Sequence, residues 1–116
     1  MDPIPVFFDP IHRSAIIVKP KQPFFDWLKT IDNEDDFSDL RDETDVYLIP
    51  DFDSVDQAEN WLKKNFDLIF CDQMNHWYTD EDIWTPNRTI KKFRDWFDYS
   101  LHTMIWDTID GPIRKK

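Results

Sequence analysis

The hydrophobic positions fall into two kinds of spacing along the chain. Ser14 to Lys19 is a short, continuous apolar run rich in β-branched residues and closed by Pro20. Such a run predicts a buried strand. Val46-Tyr47-Leu48-Ile49, closed by Pro50, predicts a second strand. Between them the period changes. Pro23 occupies a helix-start position, and Phe24, Trp27, Leu28 and Ile31 follow at i, i+3, i+4 and i+7, the stripe of a helix over 23–31. Ser54 with Gln57 forms a capping box ahead of Val55, Ala58 and Leu62, which predicts a helix over 54–64. Lys63-Lys64-Asn65 reads as its C-terminus, and Phe66 to Trp77 as a further helix at a new angle.

The last predicted helix spans 87–109, capped by Thr85, started by Pro86 and stopped by Gly111-Pro112. At about 100° per residue, Ile90, Phe93, Phe97, Leu101, Met104 and Ile105 share one sector, the core stripe. Trp96, Tyr99, Thr103 and Trp106 fall on nearly the opposite side. A single packing layer leaves these aromatics in water, so either the rest of the chain wraps them or a partner covers them. Asp95, Asp98 and His102 stand between the two faces at i, i+3 and i+7.

The fold class expected is α+β: one domain over 1–116, with a two- to three-stranded sheet, about four helices and a long C-terminal helix. Residues 1–13, broken by Pro3, Pro5 and Pro10, read as an extended N-terminal arm able to join the sheet. The stretch 32–45 carries eight acidic residues against Arg41 and reads as a solvated acidic loop, with Phe37 and Leu40 able to anchor a turn.

Composition narrows the function classes. A length of 116 residues supports a single core without staples. The 41% hydrophobic content argues against disorder, and no apolar run approaches a membrane span. The start of the chain shows no secretory signal and Cys71 has no possible internal partner, so a cytoplasmic protein is expected. Asn87-Arg88-Thr89 is then a chance sequon. A net charge of −10 disfavours nucleic acid and suits a basic protein partner or simple solubility. Nineteen aromatic residues against a single glycine exceed the needs of a small core. Trp96, Tyr99 and Trp106 are therefore the candidate partner-binding residues, facing a protein or a second copy.

Chemical constellations are sparse. Asp98 and His102, one helical turn apart, would let a carboxylate orient an imidazole for acid–base work, with Asp95 beside them. A metal at that point would need recruits such as His76, Asp80 or Glu81; the reading without them is a helix-surface pair. Asp32 to Asp36 lacks the glycine and closing glutamate of a calcium loop. Asp51-Phe52-Asp53 has the ordinary chemistry of a strand-to-helix turn. Acidic neighbours Asp67 and Asp72 disfavour Cys71 as a nucleophile. Arg88 is placed to bridge to Asp80, Glu81 or Asp82. With Gly111 the single glycine, no phosphate-cradling loop exists. No cofactor is expected. The preferred function is a non-enzymatic binding or regulatory module; the alternative is a small, possibly metal-assisted enzyme built on His102, Asp98 and Asp95.

Several stretches together resemble a small bacterial protein family of unknown function. They are Lys19-Pro20-Lys21-Gln22-Pro23-Phe24 with Trp27-Leu28, Val46 to Pro50, Trp77-Tyr78-Thr79-Asp80, Trp84, Arg88-Thr89 through Phe93, Trp96-Phe97, His102-Thr103-Met104 and Asp107. The resemblance implies an intracellular, single-domain bacterial protein and carries over no functional residue.

Overall fold

In a computed structural model that describes residues 9–33 and 43–114, the chain runs β1 (Asp9–Pro10), β2 (Ser14–Pro20), α1 (Gln22–Ile31), β3 (Asp45–Ile49) and α2 (Val55–Asn75). A 3-10 turn (Glu81–Ile83), α3 (Ile90–Trp96), β4 (Phe97–His102) and β5 (Trp106–Asp107) follow. The protein is thus mixed α and β, with three helices and two small antiparallel sheets among the described residues. Most of the acidic loop, including Phe37 and Leu40, and the first eight residues of the arm lie outside the described residues.

The main sheet has the order β3-β2-β4, with the β-branched run at its centre. Val18 pairs with Asp45 and Tyr99, and Ile16 with Tyr47 and Leu101. Alternation along each strand puts Ser14, Ile16 and Val18, Tyr47 and Ile49, and Phe97, Tyr99 and Leu101 under the helices. Phe24 and Leu28 of α1, Leu62, Phe70 and Met74 of α2 and Phe93 of α3 complete the core. Phe97 is its hub: its ring lies 5.1 Å from Phe93, 5.3 Å from Phe70 and 5.4 Å from Phe24. Buried Ser14 accepts a hydrogen bond from the Phe52 backbone, so its burial leaves no polar atom stranded.

Two sequence expectations are corrected. The final helix is not long: α3 ends at Trp96 and the chain turns directly into β4. Phe93, Phe97 and Leu101 satisfy a helical period, but Phe97-Asp98-Tyr99-Ser100-Leu101-His102 equally alternates apolar and polar. The free edge of β2 decides, because pairing from Pro20↔Phe97 to Ala15↔His102 satisfies the backbone of both strands. The Lys21 N–H donating to the Trp96 carbonyl at 2.7 Å marks the corner. Nor does Thr85 cap this helix. Thr89 does, accepting from the Lys92 N–H at 3.1 Å, after Asn87 takes a left-handed φ of 55°.

The second correction merges two predicted helices. α2 runs unbroken through Lys63-Lys64-Asn65, making the longest described helix central rather than C-terminal. Neither Gly nor Pro interrupts it, and its stripe continues through Leu62, Phe66, Ile69, Phe70 and Met74. Asn65 Nδ2 donates to the Trp61 carbonyl at 2.9 Å, bonding within the helix rather than ending it. The predicted start holds: Ser54 Oγ accepts from Gln57 N–H, and the Gln57 side chain accepts from Asp53 N–H.

Of the N-terminal arm only its last residues, from Asp9, are described. The third strand of the main sheet is β4; Asp9–Pro10 instead pairs with Trp106–Asp107. Four residues lie between Pro10 and Ala15 but three between His102 and Trp106, so one extra residue is absorbed where β2 and β4 give way to this ribbon. A bulge of this kind raises local twist and turns the strands out of the sheet plane. The β1–β5 ribbon is thus a sheet distinct from the main one.

Candidate binding surface

The residues singled out on the wheel separate in space. Trp96 is partly buried within the aromatic core, 5.4 Å from the Phe70 ring and 6.5 Å from Trp27, with Lys92 Nζ 5.5 Å from its centroid. Tyr99 packs on Phe93 and donates from its hydroxyl to Glu59 at 2.7 Å. Arg94 donates to the same Glu59 oxygen at 2.7 Å. Burial favours a protonated Glu59, but these two hydrogen bonds outweigh it and hold the carboxyl below its ordinary value. Trp96 and Tyr99 thus have partners within the chain.

Trp106 does not. It sits on the ribbon, 51% exposed, with Met104 61% exposed beside it and Ile109 and Ile113 exposed beyond. Asp9 and Asp107 face each other across this ribbon next to Trp106, and Asp110 follows Ile109 in the chain. A two-stranded ribbon without a covering layer is marginal by itself. Among the described residues its large apolar side chains are not part of the core cluster.

The carboxylate–imidazole group disperses in the same way. Asp95, on α3, pairs with Lys91 at 2.9 Å. Asp98 lies on the open face of β4, 3.9 Å from Lys21. His102 shares that face, four residues on, or about 13 Å along an extended strand, and its ring nitrogen contacts Ser100 Oγ at 2.8 Å. The structure does not bring the three together. Among the described residues no group of three or more His, Cys, Asp or Glu side chains is placed to hold a metal ion.

A pair of the same kind does form elsewhere, between Asp72 of α2 and His76 at its C-cap, with the imidazole Nε2 3.1 Å from the carboxylate. The Tyr47 hydroxyl donates to the same Asp72 oxygen at 2.6 Å, and Gln73 Nε2 donates to Asp45 at 2.7 Å and to the Tyr47 oxygen at 2.8 Å. Burial, and then the bond to Asp72, push the Tyr47 phenol well above its ordinary pKa. The cluster borders a cavity of about 210 Å³ walled by Phe24, Phe25 and Trp77 and edged by Glu43. Among the described residues the lining includes no hydroxyl or thiol nucleophile and no lysine or arginine. The i, i+4 spacing of Asp72 and His76 was the sequence signal for this pair. Its significance depended on β3 delivering Asp45 and Tyr47, which spacing along α2 does not show.

Two other residues resolve simply. Arg88 spans to α2 rather than to the acidic connector: it donates to Asp67 at 2.6 and 3.4 Å and to the Thr85 carbonyl at 2.9 Å. Burial and Asp67 raise the Cys71 thiol above its ordinary pKa, the wrong direction for a nucleophile. No described helix is long and apolar enough to cross a membrane. Comparison with protein-family models, curated proteins and solved structures found no match to this chain.

Proposed function

We propose that this chain is a non-enzymatic, acidic binding module that engages a protein partner through the β1–β5 ribbon, with Trp106 as anchor and Met104 beside it. The supporting observation is the half-exposed Trp106 on a two-stranded ribbon separate from the main sheet. Tryptophan is enriched among residues that dominate binding energy, because one ring buries a large area at small entropic cost. The acidic residues around it and the net charge of −10 favour a partner with a basic surface. An arginine of that partner could stack on the indole.

The test compares wild-type and Trp106→Ala baits in affinity capture from source cells, alongside sizing chromatography at several concentrations. The expected result is a basic protein retained by wild type and lost by a Trp106→Ala variant whose melting temperature is unchanged. A concentration-dependent dimer abolished by the same change assigns the ribbon to a second copy. Identical captures and identical sizing for both proteins overturn the reading.

A further inference from the structure

Tyr47, Leu48 and Ile49 all border one groove of about 400 Å³, whose opposite wall is α2 with Trp61, Leu68 and Asp72. Successive residues of a strand point to opposite faces of the sheet. A hollow that touches three in a row therefore lies along the strand's edge. β3 is an edge strand: among the described residues its strand neighbour is β2 alone.

Edges of this kind are usually guarded by lysine, proline or an inward charge, since unpaired backbone groups are a template for another chain. β3 carries a charge only at its first residue, Asp45. Its centre is apolar, with Val46 62% and Leu48 45% exposed, and Leu68 across the groove is 66% exposed. An open edge beside an apolar groove is the arrangement that takes up an extended peptide as an added strand. Main-chain hydrogen bonds supply affinity, and alternate side chains entering the groove supply selectivity.

Charge selects the occupant. Glu43 and Asp45 stand at one end of β3, Asp51 and Asp53 just past the other, and Asp72 lies in the groove. Two copies meeting edge to edge would bring these carboxylates against each other, which disfavours a homodimer here. A segment alternating apolar and basic residues would instead fill the groove and neutralise its ends. We infer that the outer edge of β3, with the β3–α2 groove, binds an extended basic–apolar segment of a partner protein by strand addition. This site is separate from the ribbon and does not depend on Trp106.

The experiment titrates the full chain with a synthetic peptide of alternating lysine and valine, followed by amide NMR shifts and hydrogen exchange. Two comparison peptides carry glutamate for lysine, or N-methyl groups on the amides of one edge. The expected result is saturable binding with shifts confined to β3 and the 61–72 face of α2, and slower exchange of outward β3 amides. The glutamate and N-methylated peptides should each bind roughly tenfold or more weakly. Leu68→Ala should weaken binding, and Trp106→Ala should leave it unchanged. No saturable binding, equal affinity for the N-methylated peptide, or shifts centred elsewhere overturns the inference. So does a wild-type dimer that Leu48→Lys converts to monomer. The N-methylated peptide alters no residue of the protein, so the test does not depend on any variant folding.

Discussion

Tyr47 and Tyr99 are at once packing residues and hydrogen-bond donors to carboxylates, and this double role sets their titration. Burial is the main cause that raises both phenols; Asp72 adds to it for Tyr47, and Glu59 does so for Tyr99 against the opposing Arg94. The folded chain therefore keeps protons that the unfolded chain releases near pH 10. This stabilisation is complete below about pH 10 and is lost as the pH rises past it into the range of the raised phenols. Tyrosinate absorbance from Tyr47 and Tyr99 of the folded protein should accordingly lag that of the urea-unfolded protein. Superimposable titrations would disprove it. Replacing Tyr47 by Phe should destabilise the fold by about 1–2 kcal/mol, since Asp72 and Gln73 each lose a partner. It should also remove one of the two lagging groups.

Among the elements, β4 shows most clearly where one-dimensional pattern stops. Phe93, Phe97 and Leu101 serve a helical and an alternating reading together, and nothing within 87–109 separates the two. The separation comes from β2, about 80 residues earlier in the chain, whose free edge β4 completes. By contrast β2, α1 and the start of α2 were legible, because their signals are local: a β-branched run, a proline at a helix start, and a capping box. Phe97 ties the late decision to the early elements by contacting Phe24, Phe70 and Phe93. Phe97→Ala should therefore cost about 3–5 kcal/mol, measured by chemical denaturation. A loss below about 1 kcal/mol would mean that the β4 junction is not part of the cooperative core.

At the scale of the molecule, helices cover one face of the main sheet, while Val46, Ile17, Leu48 and the Asp98–Ser100–His102 row lie on the other. Val46 and Leu48 contribute little to the core from that side. The double substitution Val46→Thr/Leu48→Thr should change stability by only about 0.5 kcal/mol and lower aggregation on concentration. A large loss of stability would show that the face is covered in solution. The candidate surfaces were only partly legible for the same geometric reason. Trp106 could be named from its place in an aromatic surplus. Its separation from Trp96 and Tyr99, and the groove at β3, arise from elements distant in sequence.

Local physics settled what a short segment can settle. Runs of β-branched residues stiffen into strands, capping side chains start helices, and a single glycine with a net charge of −10 excludes phosphate-cradling loops and disfavours nucleic acid. The tertiary structure alone decided which strand completes the sheet, which aromatics enter the core and which carboxylate meets an imidazole. Those outcomes depend on backbone pairing and close packing between segments far apart in the chain, and neither is encoded in the spacing of one segment.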